Sequence, residues 1–79
     1  MENFLKKRLI TVAEEYERGK TLRDDSEVEI AIIEKDIWVC DYSEIRGSAV
    51  PVVKVCEAKE LSREDIINIC DEHEWAYCL

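Results

Sequence analysis

Apolar positions near the start of the chain recur with the spacing of a helix. They fall three or four residues apart, with glutamates between or beside them, and are Leu5, Leu9, Val12, Ala13 and Tyr16. Because an α-helix turns once every 3.6 residues, these side chains share one face. The sequence therefore predicts an amphipathic helix that ends near Gly19, a residue suited to a left-handed helix terminus.

Three later segments are predicted β-strands, the first because its residues alternate between apolar and polar with the period of a strand. They are EVEIAIIE (27–34), IWVCDY (37–42) and VVKVCE (52–57). The short link between the first two predicts a hairpin. Segment 43–50 has the composition of a loop, and Pro51 marks a sheet edge or a strand start because it has no N–H to donate.

The second helix is indicated by its first turn. Ser62 is a typical N-cap, Asp65 stands at the reciprocal capping position, and Leu61 can pack on Ile66 as a hydrophobic staple. The last segment, WAYCL (75–79), is either a short strand or a docked tail. We predict one small α+β domain over residues 1–79: a helix, a three-stranded antiparallel sheet, a helix and a short C-terminal strand.

The pattern leaves two arrangements of the helices open. If both helices cover one face of the sheet, the other face keeps Trp38, Cys40, Tyr42 and Val52 as a candidate partner or homodimer surface. If one helix packs on each face, nothing apolar is exposed.

Charge narrows the class of function. The chain carries 19 acidic against 11 basic residues, a formal net charge of -8. Nucleic-acid binding draws its affinity from Lys and Arg that neutralise phosphates, so direct binding to nucleic acid is disfavoured. The same charge steers the protein toward a basic surface on another protein, although the acids could serve solubility alone.

Our first hypothesis is therefore a small, acidic, non-catalytic binding module. It would act as an inhibitor or regulator that engages a basic surface of a nucleic-acid-handling protein, of the kind that phages and other mobile elements encode. The predicted contact residues are Asp24, Asp25, Glu27, Glu29, Trp38, Tyr42, Glu64, Asp65, Asp71 and Glu72.

A second hypothesis starts from Glu57-Ala58-Lys59, where an acid and a lysine two residues apart would point the same way from a strand. Together with Asp41 on the preceding strand, this motif resembles the PD-(D/E)xK nucleases. The resemblance implies a core of helix, three strands, helix and strand, in a nuclease or a degenerate relative of one. In the active form Asp41 and Glu57 would hold Mg²⁺ and Lys59 would be the catalytic lysine. The competing interpretation is that Glu57 and Lys59 are solvated charges where a strand ends.

Cysteine content and hydropathy bear on compartment and metal binding. No stretch approaches the roughly 18 to 20 apolar residues that a membrane span needs, and FLKKRLITVA is too charged for a signal peptide. We expect a cytoplasmic protein whose four cysteines are reduced thiols. Cys70, His73 and Cys78 are close in sequence but lack a paired Cys-x-x-Cys spacing, so no metal site is predicted.

Overall fold

The computed structural model of the chain describes residues 2–19 and 25–79. Its elements are α1 (Glu2–Arg18), β1 (Ser26–Ile33), β2 (Asp36–Ser43), β3 (Ser48–Glu57), a 3-10 turn (Ala58–Glu60), α2 (Arg63–His73) and β4 (Ala76–Cys78). This order confirms the predicted α+β class and the short C-terminal strand. In the described part of the chain, neither helix has the length and apolar character to cross a membrane.

The four strands form one sheet in the order β3-β2-β1-β4. β1 pairs with β2, and β2 with β3, in antiparallel orientation, as the sequence predicts. β4 lies beside β1 and runs parallel to it, so the complete sheet is mixed rather than purely antiparallel. The parallel pair is possible because α2 carries the chain from one edge strand, β3, to the opposite edge beyond β1.

Both helices pack on the same face of the sheet, which decides between the two arrangements that the pattern left open. α1 contributes Leu9 and Ala13, and α2 contributes Ile66, Ile69 and Cys70, to one buried cluster. The sheet residues of that cluster include Val28, Ile30, Ile37, Val39 and Val55. We call this side of the sheet the covered face.

β3 differs from its predicted course in two ways. It begins at Ser48, so residues 48–50 are strand rather than loop, and Pro51 lies within it. An internal proline is tolerated because β3 is an edge strand. The register also shifts between Ile37 and Trp38, so that Val55 and Cys56 are both buried in the core. Strict alternation would place Cys56 on the face opposite Val55, but the β-bulge turns both side chains into the core.

The ends of α2 follow from its terminal residues. The Ser62 hydroxyl accepts a hydrogen bond from the Asp65 backbone N–H at 3.1 Å, as expected for an N-cap. The Asp65 carboxylate forms an ion pair with Lys6 of α1 at 3.6 Å. At the other end Glu74 adopts a left-handed backbone with φ of 61°, and the Trp75 N–H donates to the Cys70 carbonyl at 2.9 Å. This left-handed residue turns the chain back toward β4.

Candidate functional site

The face of the sheet opposite the helices carries two aromatic side chains and several small apolar ones. Glu27, Glu29 and Ala31 alternate with the core residues of β1, and Trp38, Cys40 and Tyr42 alternate with those of β2. The register places Glu27 opposite Tyr42, Glu29 opposite Cys40 and Ala31 opposite Trp38. We call this side, defined by these six residues, the open face, since neither helix packs on it.

Neighbouring strands extend the open face on both sides. From β3, Lys54 lies opposite Trp38, Pro51 opposite Cys40 and Ala49 opposite Tyr42. From β4, Ala76 lies beside Glu29 and Cys78 beside Ala31. These five residues join the open face through the register of β3 and the position of β4, both of which depend on long-range pairing.

The apolar centre of the open face is unusual for a sheet surface turned toward solvent. Ala31 and Cys40 are only 7% and 1% exposed, whereas Trp38 and Tyr42 are partly exposed. A solvated antiparallel face ordinarily presents polar residues at such positions. An aromatic and apolar centre beside charged residues is typical of a protein contact surface.

Two carboxylates border this centre on β1. Glu27 is exposed and Glu29 is partly buried, and their side chains point the same way from the strand. Burial raises the pKa of Glu29, and the neighbouring Glu27 charge raises it further. Within the described residues no cation forms an ion pair with either glutamate. The open face therefore places two carboxylates next to its aromatic rings.

The three buried thiols are poorly suited to nucleophilic chemistry. Burial, Glu29 and Cys78 together raise the pKa of Cys40 to about 11, and burial with Asp71 raises that of Cys70 to about 12. Burial is also the main cause of the raised pKa of Cys56. Because the thiolate is the reactive form, these three side chains are protonated at neutral pH and act as small apolar residues.

The remaining predicted contact residues lie away from the open face. Glu64, Asp71 and Glu72 are exposed on α2, on the opposite layer of the molecule, and Asp65 is held by Lys6. Asp25 accepts a hydrogen bond from the buried Ser43 hydroxyl. Asp24 lies outside the described residues. The structure thus brings together Glu27, Glu29, Trp38 and Tyr42, and separates them from the acids of α2.

Asp41 lies on the covered face, where it joins α1 to the sheet. The Tyr16 hydroxyl donates to Asp41 Oδ2 at 2.6 Å, and Arg46 Nη2 lies 3.6 Å from Asp41 Oδ1. Arg46 also donates to the Asp41 carbonyl at 2.6 Å and to the Ser48 carbonyl at 3.1 Å. These bonds fix the β2–β3 turn, a structural role that accounts for an acid among core positions.

Glu57 and Lys59 lie at the other end of the sheet. Glu57 is the last residue of β3 and faces Asp36, whereas Asp41 faces Val50. Since strand residues rise about 3.3 Å each, the five positions from Asp36 to Asp41 place Glu57 about 16 Å from Asp41. The convergence that a nuclease centre on Asp41, Glu57 and Lys59 requires does not occur.

The local geometry of Glu57 and Lys59 fits a strand end. Lys59 belongs to the 3-10 turn rather than to β3, and its ammonium pairs with Glu57 Oε1 at 3.7 Å with both side chains largely in solvent. Together with Glu34 and Lys35 these residues line an open depression of ≈ 500 Å³. An exposed ion pair of this kind contributes little energy and marks no chemistry by itself.

The residues considered as metal ligands, Cys70, His73 and Cys78, are also dispersed. Cys70 is buried in the core, Cys78 is exposed on β4, and His73 Nδ1 lies 2.9 Å from the Ile69 carbonyl. His73 Nε2 lies 3.5 Å from Glu14 Oε2, and its ring stacks on Trp75 with centroids 4.3 Å apart. Over residues 2–19 and 25–79, no three histidine, cysteine or acidic side chains are grouped as metal ligands.

Comparison with known proteins leaves the chain without a family. No protein-family model, curated protein or solved structure matches it. Its function is therefore inferred from its own residues, and the open face is the strongest candidate site.

Proposed function

We propose that this chain is an acidic, non-catalytic binding module that engages a basic surface of a partner protein through its open face. The observation that carries the proposal is the combination on one face of Trp38 and Tyr42 with the carboxylates of Glu27 and Glu29, which pair with no cation among the described residues. Aromatic side chains supply most of the energy at protein interfaces, and charge at the border supplies selectivity.

The charge of the whole molecule supports a basic partner over a second copy of the chain. Each copy has a formal net charge of -8, so two copies meeting at their open faces would repel. A basic partner would instead be attracted and would balance Glu27 and Glu29. The competing possibility is that a second copy of the chain covers this face, forming a homodimer through Trp38, Tyr42 and Val52.

The acids of α2 have a separate role in the proposal. Glu64, Asp71 and Glu72 are exposed on the side away from the open face, too far to share one contact patch with it. Their charge adds to the long-range field that speeds encounter with a basic partner. We therefore assign contact to the open face and steering to α2.

The proposed partner is a nucleic-acid-handling protein whose basic site the chain occupies as an inhibitor or regulator. A nucleic-acid site concentrates Lys and Arg, which makes it the complementary surface for an acidic module. Inhibitors of this kind are encoded by phages and other mobile elements, and such an origin would place the complex in the cytoplasm. The nuclease alternative gains no support, because its three residues do not meet.

Affinity capture with a nucleic-acid competitor tests the proposal. The immobilised chain is incubated with lysate of the source cells, and retained protein is identified, purified and rebound in rising salt, with and without duplex DNA or structured RNA. We expect a partner with a basic site that nucleic acid displaces, and weaker binding above about 0.15 M salt. A partner without such a site, or binding that neither salt nor nucleic acid alters, would contradict the proposal.

A further inference from the structure

The edge strand β3 exposes apolar side chains along an unpaired backbone. It runs for 10 residues at one end of the sheet order, and among the described strands it pairs with β2 alone. Val50 is 46% exposed and Val52 is 40% exposed. Segment 45–56 contains no acid, although the chain carries 19. A long apolar edge strand without acidic residues tends to pair with the same strand of a second copy.

Two features of β3 itself oppose such pairing. Pro51, near the middle of the strand, has no N–H to donate to an added strand. The two register shifts against β2 leave one extra β3 residue at Val52 and another at Val55. Bulges bend a strand and interrupt the regular order of its N–H and C=O groups, which makes it a poor template. Pro51 and the bulge beside it therefore obstruct the centre of the edge.

The third feature is a side chain from α1. Arg8 Nε donates to the Val55 carbonyl at 2.8 Å, and Arg8 Nη2 donates to the Lys54 carbonyl at 3.4 Å. The planar guanidinium can serve both acceptors at once, and an added strand would need carbonyls of this kind for its own ladder. Since β2 occupies one side of β3, we infer that Arg8 reaches these carbonyls from the unpaired side and, together with Pro51, closes the edge to a second copy of the chain.

The opposite edge of the sheet offers little backbone for pairing. That edge is β4, which contains three residues, Ala76–Cys78. So short an edge is a weak template for another strand. With β3 closed as well, the sheet does not extend from one molecule into the next. This inference concerns the edge of the sheet and does not depend on the proposed function of the open face.

A gain of association tests the inference. The double variant Arg8→Ala with Pro51→Val removes the α1 side chain and restores an N–H in a residue type that favours strands. Sedimentation equilibrium at concentrations up to about 1 mM detects dimers with dissociation constants into the millimolar range. Hydrogen exchange of the amides in residues 49–53 over the same range reports whether β3 is paired.

We expect the double variant to shift from monomer toward dimer as its concentration rises. Exchange of its β3 amides should slow by at least about tenfold, because pairing supplies hydrogen bonds that the free edge lacks. The wild type should show no slowing at these amides. Each single variant should associate more weakly than the double variant, because each keeps one of the two obstructions.

Arg18→Ala is the matched control. Arg18 is also an exposed arginine of α1 and lies in its last turn, so its loss changes the charge equally. We expect this variant to behave as the wild type does. Arg8 and Pro51 are both exposed, and dispersed NMR spectra verify that every variant is folded.

The exchange of the β3 amides decides the outcome. If those amides of the double variant exchange equally fast at every concentration, the inference is overturned, since the edge resists pairing without Arg8 and Pro51. Slowed exchange of the same amides in the wild type would also overturn it, because the native edge would already be open. Equal association of the Arg18 variant would trace the effect to lost charge and would overturn the role of Arg8.

Discussion

The two faces of the sheet are built from the same strands but differ in what covers them. On the covered face, Ile30, Ile37 and Val39 are fully buried beneath the helices. On the open face, Trp38 and Tyr42 alternate with those residues but have no helix above them. Folding explains every side chain of the covered face, whereas it gives no reason for two aromatic rings on the other. The difference between the faces is therefore the basis for proposing the open face as a contact surface.

The largest expected loss of stability comes from a substitution on the covered face. Ile30→Ala removes a fully buried side chain, and a large-to-small change in a core costs about 2–5 kcal/mol. Tyr42→Ala on the open face should cost less than about 1 kcal/mol, because its ring is already partly in solvent. Urea denaturation of both variants measures the contrast. Equal losses would mean that the open face is part of the folding core.

A second prediction concerns the acid on the covered face. Asp41→Asn weakens the charged acceptor of the Tyr16 hydroxyl and the contact with Arg46, so we expect a loss of about 1.5–3 kcal/mol. A double-mutant cycle with Tyr16→Phe should show coupling between the two sites. Additive losses would mean that the Tyr16–Asp41 bond does not stabilise the fold.

A third prediction concerns two residues with a left-handed backbone, which lie outside both faces of the sheet. Glu74 ends α2 with φ of 61°, a conformation that glycine adopts without strain, so Glu74→Gly should stabilise the protein by about 1 kcal/mol. Glu34, with φ of 57° in the β1–β2 turn, should respond in the same direction. Glu72→Gly, inside α2, is the control and should destabilise by about 1 kcal/mol. Thermal unfolding of the three variants checks the opposite signs.

The smallest expected effect on stability comes from the charge of Glu29 on the open face. Since burial and Glu27 raise the pKa of Glu29, ionised Glu29 opposes folding at neutral pH, and Glu29→Gln should stabilise by up to about 0.5 kcal/mol. As pH falls through the raised pKa toward 4.5, the folded wild type takes up its proton first. The advantage of the variant should shrink over that window, as chemical denaturation at several pH values would show. An advantage that grew as pH fell would contradict the sign.

Local rules predict much of this fold. Alternation along residues 27–34 and 37–42 indicates both strands of the first hairpin, and Ser62 marks the start of α2. The position of β4, the bulge that buries Cys56 and the placement of both helices on one face are set by long-range packing. A single sequence contains no local signal for these features.

The residues of the candidate site are likewise predictable in part from local sequence pattern. Trp38 and Tyr42 share a face because alternation requires it, and Glu27 joins them through the hairpin register. The separation of Asp41 from Glu57 follows from the antiparallel pairing of β2 with β3, which brings the end of β3 beside the start of β2. The exact register depends on the β-bulges of this pair, which have no local signal in the sequence.

The most direct test of the account compares two pairs of substitutions that remove equal charge. The first pair, Glu27→Gln with Glu29→Gln, alters the open face, and the second pair, Asp71→Asn with Glu72→Gln, alters α2. Because both pairs change the net charge equally, any difference in binding comes from the position of the substituted residues. With the captured partner, we predict that the open-face pair lowers affinity at least about tenfold through faster dissociation, while the α2 pair slows association only severalfold. Equal effects, or a larger loss from the α2 pair, would contradict the claim that the open face makes the contact.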